Sequence, residues 1–277
     1  MSIDPYREFR QAVDRPEDKI DLGRAALTIA QTEYPDLDPA DFLSRIDQMA
    51  VDVTRRCPAD ADLYRTIAAL NYVLFNQHGF HGNREDYYDP KNSFLNQVIE
   101  RKTGIPITLS VLYIEVAQRA GLALHGVGFP GHFLVKYAGD GEEMIIDPFN
   151  QGEIKSREEL GKMLCDLHGR NVALEEEFLQ PAGKKQIIQR ILANLKAIYA
   201  RSSDWAKTLA VLDRLIILDP GSVQDIRDRG VVYLQLDCNV LAREDFERYL
   251  RVAPDAADAE KIREQIIKLA KVVTRLH

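Results

Sequence analysis

Between residues 124 and 146 the apolar residues leave helical spacing and fall into short runs split by glycine-rich turns, the pattern of strands and hairpins. The runs are Leu124–Phe129, Phe133–Tyr137 and Met144–Ile146, and Gly139-Asp140-Gly141 is the clearest hairpin turn in the chain. Any fold must therefore hold a small set of hairpin-linked strands between helical stretches. The same region, PGHFLVKYAGDGEEMIIDPFN, carries His132 and Asp147 fifteen residues apart, on what read as two adjacent strands.

Upstream the pattern is helical. Asp38-Pro39-Ala40-Asp41 supplies an N-cap, a proline at the first helical position and an acidic residue in the first turn. Leu43, Ile46, Ala50 and Val53 then share one face. A second helix starts near Asp60 or Asp62, with Leu63, Ile67, Leu70 and Leu74 on one side. It gives way to NQHGFHGNREDYYDP, and about residues 76 to 92 are expected to form an ordered functional loop. A helix over about 106 to 120 follows, opened by Gly104 and Pro106 and closed by Gly121. Ser156 with Glu159 forms a capping box for a short helix carrying Leu160, Met163, Leu164 and Leu167.

From Lys184 onward only helices are expected, and Gln180-Pro181-Ala182-Gly183-Lys184 reads as a linker. This sets two domains, residues 1–183 and 184–277. In the second, Asp219-Pro220 and Ala253-Pro254 recur 34 residues apart, the period of a tetratricopeptide repeat. Gly230 and Tyr233, then Ala242 and Phe246, occupy the packing positions of the better unit, the small residues allowing close approach and the aromatics filling the groove. The poorer unit keeps Tyr199, Leu212 and Pro220, and residues 257–276 would cap the array.

Composition narrows the function classes. Of 277 residues, 45% are hydrophobic and 29% charged, as in ordinary globular proteins. No apolar run approaches the roughly 20 residues of a membrane span, and MSIDPYREFRQAVDRPEDK lacks the apolar stretch of a signal peptide, so the expected location is cytoplasmic. A net charge of −7 argues against nucleic acid as the main partner. Cys57, Cys165 and Cys238 are odd in number, widely spaced and without a C-x-x-C pair, which suits reduced thiols and not a thiolate zinc site.

RKTGIPITLSVLYIEVAQRAGL, then GVGFPGHFLVKY, then IIDPFN, followed by helical repeats, resembles the SirB-type branch of the transglutaminase-like superfamily over roughly residues 35 to 255. The resemblance implies an α+β fold: a papain/transglutaminase-like core with a helical N-terminal region, then a C-terminal all-α repeat domain. Active members place a Cys at a helix N-terminus, where the dipole favours its thiolate, a His on the next strand and an Asp on the one after. His132 and Asp147 map onto the last two. The Cys position, counted back from Gly121, falls on Pro106, which has no nucleophilic atom.

Each alternative nucleophile has a plainer role open to it. Ser110 is one turn past Pro106 on the same face, yet a Ser near a helix start usually bonds to backbone. Cys165 stands three residues before His168, among core Leu and Met positions. His78 and His81 form an H-x-x-H in the loop, a weak metal signal, and Tyr87 and Tyr88 suit the wall of a peptide groove. The expectation is a degenerate triad of His132 and Asp147 in a cleft shared with Ser110, His78, His81, Tyr87, Tyr88 and Asn150. It would act as a pseudoenzyme binding an unidentified protein or peptide, without metal, cofactor, nucleic acid or membrane. The alternative is a hydrolase or acyltransferase using Ser110 or a metal-bound water with His132 and Asp147. The oligomeric state is not set by the sequence.

Overall fold

The computed structural model describes residues 6–58, 60–139 and 141–275. They divide into two compact units, residues 11–191, and residues 192–275 together with residues 6–10.

Helices dominate the first half of the 11–191 unit: α1 (Arg7–Val13, shared with the N-terminal segment), α2 (Leu22–Ala30), α3 (Pro39–Arg56) and α4 (Leu63–Asn71). Asp38 caps α3 by accepting from the Ala40 amide at 2.9 Å, with Pro39 at the first helical position. Asp62 caps α4 by accepting from the Arg65 amide at 2.8 Å. Beyond a π-helical turn at Tyr72–Gln77 comes β1 (His81–Gly82), then α5 (Leu95–Arg101), β2 (Thr103–Gly104) and α6 (Pro106–Arg119). β1 and β2 pair in parallel, His81 with Thr103 and Gly82 with Gly104.

α6 is the axis of this unit. Every residue from Pro106 to Ala117 is buried, as expected of a helix that is apolar nearly all round. It packs against α2, α3, α4 and α5 and against the strands that follow. Gly121, at φ +90°, supplies the left-handed residue after its C-terminus.

The strands are β3 (His125–Val127), β4 (Leu134–Gly139), β5 (Glu142–Asp147) and β6 (Glu153–Lys155), an antiparallel sheet in that spatial order. Gly139 pairs with Glu142 around the hairpin, whose Gly141 has φ +78° and whose Asp140 lies outside the described residues. α7 (Arg157–His168) opens with the Ser156–Glu159 capping box. Its Leu160 and Leu164 join Val127, Phe129, Leu134 and Ile145 in one apolar cluster.

The segment at 180–184 is not a free linker. Pro181 bridges to Val127, and the Ala182 amide donates to the Gly126 carbonyl at 2.8 Å, which covers the outer edge of β3. α8 (Lys184–Arg201) starts directly after it, and the two units divide within this helix, after Ile191.

The second unit continues with α9 (Trp205–Leu218), α10 (Val223–Gln235), α11 (Asn239–Val252) and α12 (Ala259–Arg275), each packed on the next. Gly230 of α10 lies against Phe246 of α11 so closely that a Cβ at residue 230 would stand 2.7 Å from a ring carbon. Ala242, Phe246 and Tyr249 form the core with Ile262 and Leu269 of α12, and Tyr233 packs beside them. Tyr199 is buried as well. Residues 6–10 belong to this unit, where the buried Arg214 guanidinium lies 4.8 Å from the Tyr6 ring centroid and 5.8 Å from that of Phe9. Among the described residues no helix is long and apolar enough to cross a membrane.

Candidate functional site

The register Val135 to Ile146 brings the start of β4 and the end of β5 to the same end of the sheet. His132 stands two residues before β4, in a turn where its amide donates to the Phe129 carbonyl at 3.1 Å and Gly131 takes φ +68°. Asp147 is the last residue of β5. Their side chains meet, His132 Nε2 to Asp147 Oδ1, at 3.0 Å. Nδ1 is then the ring nitrogen without a bond to the described residues.

Asp147 is fully buried, yet its carboxylate is well satisfied. Oδ1 also accepts from the amides of Phe149 and Asn150, at 3.1 and 3.3 Å, and Oδ2 accepts from Asn150 Nδ2 at 2.7 Å. Burial works to raise its pKa, but the hydrogen bonds and charge of His132, with the bonds from Asn150, hold the group below the usual carboxylate value. The carboxylate thus fixes both the imidazole and the turn at 148–150 that follows.

That turn presents Phe149 to the imidazole, edge to face, with centroids 5.9 Å apart. Tyr87 meets Phe149 at 6.5 Å and Tyr88 at 5.4 Å, also edge-on, and Tyr88 is largely exposed. Arg84 donates to Asn150 Oδ1 and holds its guanidinium 5.2 Å from the Phe149 centroid. From α8, Arg190 donates to the carbonyls of His132 and Phe129, at 2.7 and 3.2 Å, so one side chain braces both ends of the turn. Burial pulls the Arg190 pKa down, partly offset by the neighbouring Tyr87. Loop aromatics, the His–Asp pair and two arginines thus surround one spot.

Pro106 opens α6 at its first position. The link from that helix start to the His–Asp pair is a chain of contacts: Gly104 pairs with Gly82, Gly82 abuts the Phe149 ring, and Phe149 abuts His132. The first turn is held by Thr108 Oγ1, which accepts from the Ile105 amide at 3.2 Å and donates to the Asn92 carbonyl at 2.7 Å.

Other residues singled out by the sequence make contacts of their own. Ser110 has no exposed surface, and its hydroxyl donates to the Phe133 backbone carbonyl at 3.5 Å because this face of α6 packs on β4. Its hydroxyl is therefore engaged with backbone and not with the His132 ring. Cys165, on α7, donates to Asn171 Oδ1 at 3.5 Å. His78 approaches Asp52 at 3.4 Å, whereas His81 contacts the carbonyl of Gly79 at 3.1 Å. The two loop histidines are thus held in separate local contacts. Among the described residues no three His, Cys, Asp or Glu side chains converge as metal ligands would.

Sequence reasoning missed Arg84, Phe149 and Arg190. The first two lie beside residues already singled out. Arg190 lies 58 residues from His132, on a helix whose periodicity says nothing of this contact.

Comparison with known proteins places this geometry in context. Residues 40–193 match the family model of the transglutaminase-like superfamily, and residues 195–266 match a tetratricopeptide repeat. A UPF0162 protein of Xylella fastidiosa (strain 9a5c) is 38% identical over 94% of this chain and 94% of its own. The UPF0162 protein of Vibrio cholerae is 30% identical over 94% of this chain and 93% of its own. F-box only protein 21 of Mus musculus is 34% identical over 62% of this chain and 28% of its own. The chain belongs to the transglutaminase-like superfamily, with tetratricopeptide repeats following the domain that carries His132 and Asp147.

Proposed function

We propose that this protein is a transglutaminase-like pseudoenzyme whose His132–Asp147 cleft binds a peptide segment of a partner protein. The observation that carries the reading is the helix that begins on Pro106 where a nucleophile would stand. Proline supplies no thiolate and also no N–H. The position therefore lacks both the attacking atom of an acyl transfer and one helix-terminal donor for a developing oxyanion.

What remains suits binding. His132 Nδ1 is one polar contact for a peptide group, Phe149 and Tyr87 give aromatic surface, and Arg84 brings positive charge. The repeats that follow this domain offer a second surface for protein partners. A cytoplasmic setting agrees with the three unpaired cysteines. The alternative of a hydrolase or acyltransferase is not favoured by the position of Ser110.

The test is incubation of the full-length protein with a defined peptide pool, followed by mass spectrometry of retained peptides and protein. Intact peptides held by wild type and lost with His132→Ala support the reading. Peptide cleavage, or a peptide acyl adduct on the protein, abolished by the same substitution, overturns it.

A further inference from the structure

Two guanidinium groups beside His132 have no carboxylate partner among the described residues. Arg190, half-buried, uses Nη2 on the carbonyls of Phe129 and His132, at 3.2 and 2.7 Å, and lies 5.4 Å from the Phe133 ring centroid. Its Nε and Nη1 make no hydrogen bond to the described residues and are not sealed from solvent. The exposed Arg84 lies 5.2 Å from the Phe149 centroid and donates to Asn150, again without an ion pair among the described residues. His132 Nδ1 is likewise open, while Nε2 is engaged by Asp147. Arg119 on α6 is the contrast: also half-buried, it pairs with both Glu115 and Asp47, each at 2.6 Å.

The carboxylates of the region do not neutralise this charge. Asp147 is committed to His132, to the Asn150 side chain and to the amides of Phe149 and Asn150. Glu85 and Asp86 follow Arg84 in the chain, exposed, and neither pairs with it. Burial destabilises the Arg190 cation, and the group that offsets this is the Tyr87 hydroxyl. Burial raises the Tyr87 pKa, so at neutral pH that hydroxyl is uncharged and offers no counter-charge. A partly buried cation that lacks an opposite charge is stabilised when an anion enters beside it.

We propose that the peptide bound in the His132 cleft carries a carboxylate at the point of contact, either its C-terminus or an Asp or Glu side chain. The inference rests on the reading of the cleft as a peptide-binding site and names the chemistry that the site selects. The free N–H groups of Arg190 and Arg84 donate to the carboxylate, and a residue flanking it lies against the rings of Phe149 and Tyr87. A basic segment is disfavoured, because it would bring like charge to two guanidinium groups. The chain as a whole has a net charge of −7, so this positive spot is a local departure from the field of the rest of the protein.

The experiment is an NMR titration of the full-length protein, following backbone amides. The probes are two matched pairs: N-acetyl-Phe-Gly-Ala with a free C-terminus against its amide, and N-acetyl-Phe-Glu-Ala amide against the Gln peptide. Sodium phosphate is the inorganic control. The expected result is saturable shifts at residues 84–88, 131–133 and 147–150 with a carboxylate peptide, about tenfold tighter than with its neutral match. The pair that shows the difference identifies the source as a chain terminus or an acidic side chain. Arg84→Gln/Arg190→Gln should remove the preference. Because Arg190 also braces the turn, Arg84→Gln alone, at an exposed side chain, should weaken the carboxylate peptide about threefold or more and leave its neutral match unchanged. Equal affinity within both pairs overturns the inference and leaves the peptide-binding reading standing. Binding of phosphate as tight as that of the carboxylate peptides overturns it as well, and no saturable shift with any peptide overturns both. Cleavage of a bound peptide overturns the pseudoenzyme reading, while a carboxylate preference in the same titration still supports this inference.

Discussion

Gly82 lies so close to Phe149 that a Cβ at residue 82 would stand 2.5 Å from a ring carbon. A two-residue strand thus sets the position of the ring that packs on His132. The alanine cannot be accommodated unless the ring or the strand moves. Gly82→Ala is expected to cost about 1–3 kcal/mol, read from urea unfolding, and to shift the His132 ring resonances in NMR. An unchanged midpoint with unchanged His132 resonances would show that Phe149 is free to swing aside.

The Asp147 carboxylate should tie stability to acid pH. Its pKa is lower in the folded protein than in the unfolded chain, so the native state binds fewer protons there. Its contribution is complete above the ordinary carboxylate value of about 3.9 and is lost as pH falls through the lower folded value. Asp147→Asn is expected to cost about 2 kcal/mol at neutral pH. The gap between variant and wild type should narrow as pH drops below about 4. Parallel stability curves down to the acid limit would contradict this.

On the proposed reading, a thiol placed at position 106 should sense His132. Pro106→Cys is expected to be alkylated by iodoacetamide at neutral pH about tenfold faster than the same variant carrying His132→Ala. Site-resolved mass spectrometry separates residue 106 from the three native cysteines. Equal rates in the two backgrounds would place Pro106 outside the reach of the imidazole.

Tyr6 reports on the other unit. Its hydroxyl donates to Asp213 Oδ2 at 3.0 Å, and burial, then the Asp213 charge, push its pKa up to about 12. The folded state therefore keeps a proton that the unfolded chain loses near pH 10, and stability falls as pH rises from about 10 toward 12. Tyr6→Phe should cost about 1 kcal/mol at neutral pH and make the alkaline fall shallower. Thermal unfolding across that range is the measurement, and an identical alkaline slope would refute the assignment.

The elements legible in the sequence were those with local signals. Pro106 and Gly121 mark the two ends of α6 within two residues, because each satisfies a backbone requirement that few other residues meet. The Ser156–Glu159 box and the Asp38 cap are likewise local devices. β1 and β2 were not legible, since two residues are too few to show alternation and their pairing depends on a partner 22 positions away. α5 was hidden for a similar reason: seven residues, of which only Leu95, Val98 and Ile99 are apolar, give little periodicity. At the site, His132 and Asp147 stood out through their motifs, whereas the hydrogen bonds of Arg190 go to backbone carbonyls, which any sequence presents equally.

The strip of chain at Pro181–Ala182 has a consequence for how a partner would be read. It closes the β3 side of the sheet, and the opposite side ends in β6, three residues long and bearing the paired Glu153 and Lys155. Neither margin invites a visiting strand, so the generic route of extending a sheet with foreign backbone is shut. Discrimination would then rest on side-chain identity, and a bound segment should tolerate changes of backbone length better than changes of residue type.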